Sequence, residues 1–252
     1  MAAGALSLTG DGAPLSYFAH AGGPIAHTTM VLGWVFAAIA VGVCLIILAL
    51  LVYALLRRRA PRATEIIGRE SGGLRAIAIG TAISTLVLFG MAVYSLVVLN
   101  ANARPDTPPA LTVRVVAYDW WWRVEYLDAA GDVVATSANE IHIPVGQPVA
   151  MRLDSADVIH AFWVPRLAGK TQMIPGQTNQ QWLQADVPGV YRGQCTQYCG
   201  VQHARMALEV IAQSQAEFDA FLRAESLPAQ ADDMRLQSAG GQVFMAHCAA
   251  CH

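Results

Sequence analysis

Two long stretches without a charged side chain constrain this sequence more than any other feature: residues 30–56 and residues 76–99. Each exceeds the ~20 consecutive apolar residues that a helix needs to cross the hydrocarbon core of a bilayer. Soluble helices are seldom apolar all round, because one face meets water. A pair of buried core helices is therefore the poorer account, and the runs predict a transmembrane helical hairpin over residues 30–100. They also explain why only 13% of the residues are charged, about half the share of an ordinary soluble domain.

Charge placement orients the hairpin. Arg57, Arg58, Arg59, Arg62, Arg69 and Arg75 lie between the runs against only Glu65 and Glu70. Short basic loops stay cytoplasmic, so both termini are expected on the outer side. Residues 1–29 lack the basic start and compact apolar stretch of a secretory signal peptide and read as an outward-facing segment. Beyond the hairpin the balance reverses: residues 101–252 carry 15 acidic and 10 basic side chains. A strongly basic surface is absent, so nucleic acid is not an expected partner.

Residues 101–212 read as an outer domain built of strands. Short runs rich in Val, Thr, Trp and Tyr fall at 111–118, 121–127, 133–136, 140–144, 147–153, 158–164, 180–183, 189–195 and 206–211. Turn residues such as Gly131, Gly146 and Gly189 separate them, the pattern of an antiparallel sandwich or barrel. No ten-residue helical pattern interrupts the runs, which disfavours a doubly wound α/β fold. Residues 213–233 read as a helix and linker: Ser214 and Glu217 form a capping box ahead of the apolar stripe Phe218, Phe221 and Leu222.

The chemistry gathers in one loop, where Cys195, Cys199, His203 and Met206 follow a strand end, with His160 upstream. Thiolate and thioether are soft ligands that select copper, and imidazole suits copper too. Cys, His and Met beside a distant strand His is the ligand set of an electron-transfer copper site on a β-sandwich. Two thiolates on one loop could also bridge two metal ions. Two other accounts stay open here: a Cys195–Cys199 disulfide, and a tetrahedral zinc site from Cys195, Cys199, His203 and His160. Neither explains Met206, nor the adjacent Trp120, Trp121 and Trp122. Strand alternation places Trp120 and Trp122 on one face and Trp121 on the other, so at least one ring is expected at the surface.

On these residues the chain resembles subunit II of the haem–copper cytochrome c oxidases. The resemblance covers about residues 24–225 and rests on His160 followed by Cys-x3-Cys-x3-His-x2-Met. It implies a two-helix transmembrane hairpin carrying an all-β cupredoxin domain, a Greek-key β-sandwich, with a short C-terminal helix. It implies two copper ions in the binuclear centre called CuA, with Cys195 and Cys199 bridging both. His160 and His203 would each bind one ion, Met206 would be a weak ligand to one, and Gln197 would offer its backbone carbonyl to the other. Trp120, with Trp121 beside it, would be the point where electrons arrive, and Asp157 matches an acidic position of the family.

The implied partners are oxidase subunit I, with its haem and CuB, and subunit III. Cytochrome c, or a fused cytochrome c domain, would be the donor, and membrane lipid would surround the hairpin. The implied setting is a bacterial inner membrane, with both termini and the CuA domain on the periplasmic side. This chain would take electrons in and pass them to subunit I, where oxygen is reduced to water and protons are pumped; no catalytic residue is expected here. Two departures matter. Gln197 stands where the family usually has a glutamate that helps hold magnesium, and Gln172 replaces an aspartate, so magnesium is not expected. Glu70 reads better as a solvated charge at a helix N-terminus than as part of a proton-uptake entrance.

Residues 234–252 end in Cys248-Ala-Ala-Cys251-His252, the attachment pattern of c-type haem. They read as the start of a cytochrome c domain, with haem c as its cofactor. The chain stops before any second axial ligand, and a sequence cut short of the natural protein is the expectation. Two further functions remain: the CuA subunit of a nitric oxide reductase, and a metal-free, membrane-tethered β-sandwich closed by a disulfide.

Overall fold

The computed structural model describes residues 20–57, 71–227 and 237–249. Helix α1 runs from Pro24 to Leu56 and α2 from Ser71 to Asn102. Pro24 suits the first helical position, where its missing N–H costs nothing. At 33 and 32 residues the helices are about 50 Å long, and both are long and apolar enough to cross a membrane. Most of their described side chains are exposed, the remainder being half-buried apart from Ile25 and Ala26 in the first turn of α1 and Met91 in α2.

The strands form two five-stranded sheets packed face to face. In chain order they are β1 (Leu111–Tyr118), β2 (Trp121–Leu127), β3 (Val133–Ala138), β4 (Glu140–Pro144) and β5 (Val149–Ser155). There follow β6 (His160–Trp163), β7 (Thr171–Met173), β8 (Asn179–Leu183), β9 (Gly189–Cys195) and β10 (Ala207–Gln213). One sheet has the order β3-β2-β1-β5-β8, the other β4-β10-β9-β6-β7. The all-β sandwich is as expected, but the sheets are mixed rather than purely antiparallel: β1 pairs in parallel with β5, and β4 with β10. The reason is a crossing of the chain from one sheet to the other. Asn139, at φ 62°, turns β3 into β4, and Asn tolerates this left-handed backbone better than most residues. Its Oδ1 accepts from Trp122 N at 2.9 Å, which ties the corner to β2. Gly146 then returns the chain to the first sheet at φ 76°.

Alternating side chains such as Val113, Val115, Trp122, Ile141, Leu153 and Phe162 fill the space between the sheets. Tyr126 bridges them: its hydroxyl accepts from His142 N at 2.7 Å and donates to His142 O at 3.2 Å. Helix α3 (Gln215–Glu225) starts with the expected capping box, and Phe218, Phe221 and Leu222 pack against the core. A last short helix, α4, spans Ala239–His247.

The strand directions position the site. β1 and β9 finish at the end of the sandwich where β6 and β10 begin. That end gathers Trp120, His160, Cys195 and Met206. The opposite end, about 20 Å away along seven-residue strands, receives the hairpin: Trp182 Nε1 donates to Asn102 O at 2.8 Å.

Candidate metal centre

The loop is pinned before any side chain is considered. Cys195 N donates to Met206 O at 2.9 Å, closing the ladder between β9 and β10, and Thr196 N donates to Ala161 O at 3.1 Å. Gly200 turns the chain at φ 122°, and His203 N then donates to Gly200 O at 3.2 Å. A single 3-10 turn, His203–Arg205, carries the chain to Met206.

These bonds direct five side chains inward. Cys195 Sγ lies 3.8 Å from Cys199 Sγ and 3.8 Å from His160 Nδ1. Cys199 Sγ is 3.4 Å from His203 Nδ1 and 3.8 Å from Met206 Sδ. The carbonyl of Gln197 also points in, 3.2 Å from Cys195 Sγ. His160, Cys195, Cys199 and Met206 are all buried.

Further contacts hold these groups. Asp157 accepts from His160 Nε2 at 2.8 Å, from Val158 N at 2.6 Å and from Asp119 N at 2.7 Å. With the proton on Nε2 committed to Asp157, the Nδ1 lone pair is left facing the sulfurs, as for a metal ligand oriented by a carboxylate. The two thiols ionise unequally. Burial works against ionisation of both, but His160 and the backbone of Ala161 and Gln197 hold Cys195 below the usual thiol value. Burial together with the neighbouring Cys195 charge pushes Cys199 up.

The donor set fits copper. Both cysteines are free, and their 3.8 Å separation is nearly twice the ~2.05 Å of a disulfide bond. Zinc takes thiolate, imidazole and carboxylate ligands, which would leave the buried Met206 thioether without a role. A soft thioether beside two thiolates and two imidazoles suits copper.

The tryptophans separate by role. Trp120 lies in the turn before β2, not on a strand, so the alternation expected of Trp120 and Trp122 does not apply. Its Nε1 donates to Cys199 O at 3.1 Å. Its ring lies so close to Gly200 that a Cβ there would come within 3.0 Å of it. Trp121 is exposed and stacks on Tyr118 with centroids 5.0 Å apart. Trp122 is fully buried behind the site, 6.3 Å from the His160 ring. Gln172 is an exposed residue of β7. Cys248 follows α4, whereas Cys251, His252 and Glu70 lie outside the described residues.

Three contributors were not legible beforehand. Asp119, whose carboxylate is 3.8 Å from His160 Nε2, sits beside the tryptophans without a spacing to mark it. The positive φ of Gly200 has the glycine itself as its only signal in the sequence. Tyr198, 74% exposed, stands edge-on to His203 with centroids 5.7 Å apart.

Known proteins resemble the chain over much of its length. Residues 127–214 match the family described as "Cytochrome C oxidase subunit II, periplasmic domain". The chain is 33% identical over 201 residues to cytochrome c oxidase subunit 2 of Alkalihalophilus pseudofirmus, covering 77% of this chain and 58% of that protein. It is 30% identical over 200 residues to the probable cytochrome c oxidase subunit 2 of Rickettsia bellii, covering 72% of this chain and 73% of that protein. The chain thus spans little more than half the length of the first relative. The crystal structure of the periplasmic domain of subunit II of cytochrome oxidase from Bradyrhizobium japonicum is 27% identical, with a TM-score of 0.44, covering 47% of this chain and 95% of that one. By its relatives and by the Cys-His-Met loop at the end of its sandwich, the chain belongs to the cytochrome c oxidase subunit II family.

Proposed function

We propose that the chain takes electrons into a respiratory haem–copper terminal oxidase through two copper ions held at the end of the sandwich. The observation that carries this reading is the convergence of Cys195 Sγ and Cys199 Sγ with His160 Nδ1, His203 Nδ1 and Met206 Sδ. In it Cys195, Cys199, His160 and His203 would hold the two ions, and Met206 and the Gln197 carbonyl would complete the set. A copper pair held there would supply one-electron transfer with the change of charge shared between two ions, so that little reorganisation would be needed.

The protein's part is to hold that geometry and keep water out. Asp157 fixes the His160 ring, the Gly200 turn aims the sulfurs, and Trp122 and Phe162 pack behind them. Trp120 bonds directly to the Cys199 carbonyl and Trp121 is exposed beside it, which makes this corner the place where a donor delivers electrons. Cytochrome c, or a haem c domain begun by Cys248, Cys251 and His252, is that donor. Subunit I is the acceptor, with subunit III alongside, and oxygen reduction and proton pumping take place outside this chain. No magnesium ion is assigned, because Gln197 offers an amide where a carboxylate would be needed.

Residues 30–100 form the membrane hairpin, 101–212 the copper domain, 213–233 a helix and linker, and 234–252 the start of the haem domain. Residues 1–29, both termini and the copper domain lie on the periplasmic side of a bacterial inner membrane. The basic segment between the spans supports this orientation. Replacing Cys199 with Ser in the assembled complex tests the function. Loss of oxygen consumption driven by reduced cytochrome c, together with loss of the copper signal, is expected; undiminished consumption would refute it.

A further inference from the structure

Residues 20–26, just ahead of and into α1, make contacts that neither a membrane span nor a copper ligand requires. Gly22 N donates to Arg166 O at 2.7 Å, and Gly22 O accepts from Asp186 N at 2.8 Å. One residue thereby bridges the turn after β6 and the turn between β8 and β9. Arg166 Nε also donates to His20 O at 2.9 Å, and its guanidinium lies 5.2 Å from the centroid of the Tyr191 ring. The fit admits only glycine: a Cβ on Gly22 would sit 2.3 Å from Tyr191, and one on Gly23 would sit 1.9 Å from Gln184 O. Ile25 belongs to the hydrophobic core of the sandwich. The other end of the hairpin meets the same region, where Trp182 Nε1 donates to Asn102 O and Thr28 Oγ1 donates to Asn102 Oδ1 at 2.7 Å.

We propose that residues 20–26 are a strap that clamps the outer domain to the hairpin and so fixes how far the copper ligands stand from the electron acceptor. The part concerning electron transfer rests on the function proposed above. With only the linker after α2, the domain would hang from a single point and could tilt. The strap supplies a second point of attachment from a distant part of the chain. The ligand cluster lies about 20 Å from these attachments, so a tilt of about ten degrees would displace it by roughly 3 Å. Electron tunnelling falls exponentially with distance, which turns a small tilt into a slower transfer.

The test uses the full chain in its assembled, copper-loaded complex and the substitution Gly23→Ala. The copper spectrum should be unchanged, because the strap is at the far end of the sandwich. The amides of Gly22 and Asp186 should lose protection from hydrogen exchange, and transfer from copper to the acceptor should slow severalfold. Retained protection, or lost protection with an unchanged transfer rate, would overturn the proposal. If Gly23→Ala does not assemble, Arg166→Gln removes the His20 contact without a clash and should give a smaller loss of protection at Gly22 and a smaller slowing. An unchanged Gly22 amide in that variant would equally overturn it. An unmodified complex that turns over with no copper signal would instead overturn the function on which the electron-transfer part rests.

Discussion

Asp157 binds no metal in this account, yet removing it should weaken copper binding more than any other change outside the ligands. Its carboxylate holds His160 Nε2 at 2.8 Å, Val158 N at 2.6 Å and Asp119 N at 2.7 Å. In Asp157→Ala the other carboxylate beside Nε2 is that of Asp119, at 3.8 Å, beyond hydrogen-bond reach. The fully buried ring then keeps a donor without a partner and is free to rotate its Nδ1 away from the sulfurs. Loss of a carboxylate behind a metal-bound imidazole costs roughly 10–100-fold in metal affinity, or about 1.4–2.8 kcal/mol at 1.4 kcal/mol per decade. Asp157→Asn keeps an acceptor oxygen of the same shape and loses only its charge, so it should fall near tenfold and Asp157→Ala near a hundredfold. Competition with a copper chelator, followed by thiolate-to-copper absorption, measures both. Wild-type affinity in Asp157→Ala would refute the argument that this carboxylate orients His160.

Trp120→Phe keeps an aromatic ring but removes the donor to Cys199 O, and should loosen the loop by about 0.5–1.5 kcal/mol, seen as copper loss at a lower temperature. Tyr126→Phe leaves both backbone groups of His142 without their partner inside the sandwich. It should cost about 1–3 kcal/mol in thermal unfolding while the copper spectrum stays the same. Burial works to raise the pKa of Asp154, but the Thr178 hydroxyl and Arg114 outweigh it and the net shift is downward. Arg114 Nε donates to it at 2.6 Å. Because the folded pKa lies below the unfolded one, its stabilisation is fully present above about pH 4. It is lost as pH falls through the folded value. Asp154→Asn should therefore flatten the acid limb of a stability–pH curve below pH 4 in denaturant titrations.

Where local chemistry decides the structure, sequence reading went far. β1, β2, β4 and β9 have the bounds that their alternation and turn residues predicted. The Ser214–Glu217 capping box is as read. Strand partners are another matter, since a period of two says which face a residue takes but not which strand lies beside it. The parallel pairs β1–β5 and β4–β10 arise from crossings at Asn139 and Gly146, a property of the whole chain path. β7 went unread because Thr171–Met173 is too short to show alternation, and pairing with β6 alone makes it a strand. The tryptophan run misled because a turn at Asp119 and Trp120 interrupts the strand period.

The ligand candidates stood out because a thioether, two thiols and an imidazole in one loop are rare in combination. The groups behind them were harder to see. Asp119 and Gly200 act through neighbours far away in sequence, and Gly22 and Gly23 matter only because Tyr191 and Gln184 press against them.

Electron paramagnetic resonance of the copper-loaded full chain tests the central claim most directly. Hyperfine splitting from one unpaired electron shared equally between two copper nuclei is the predicted result, and it should vanish in Cys199→Ser. A pattern from a single copper nucleus, or no copper signal together with a Cys195–Cys199 disulfide detected by mass, would contradict it.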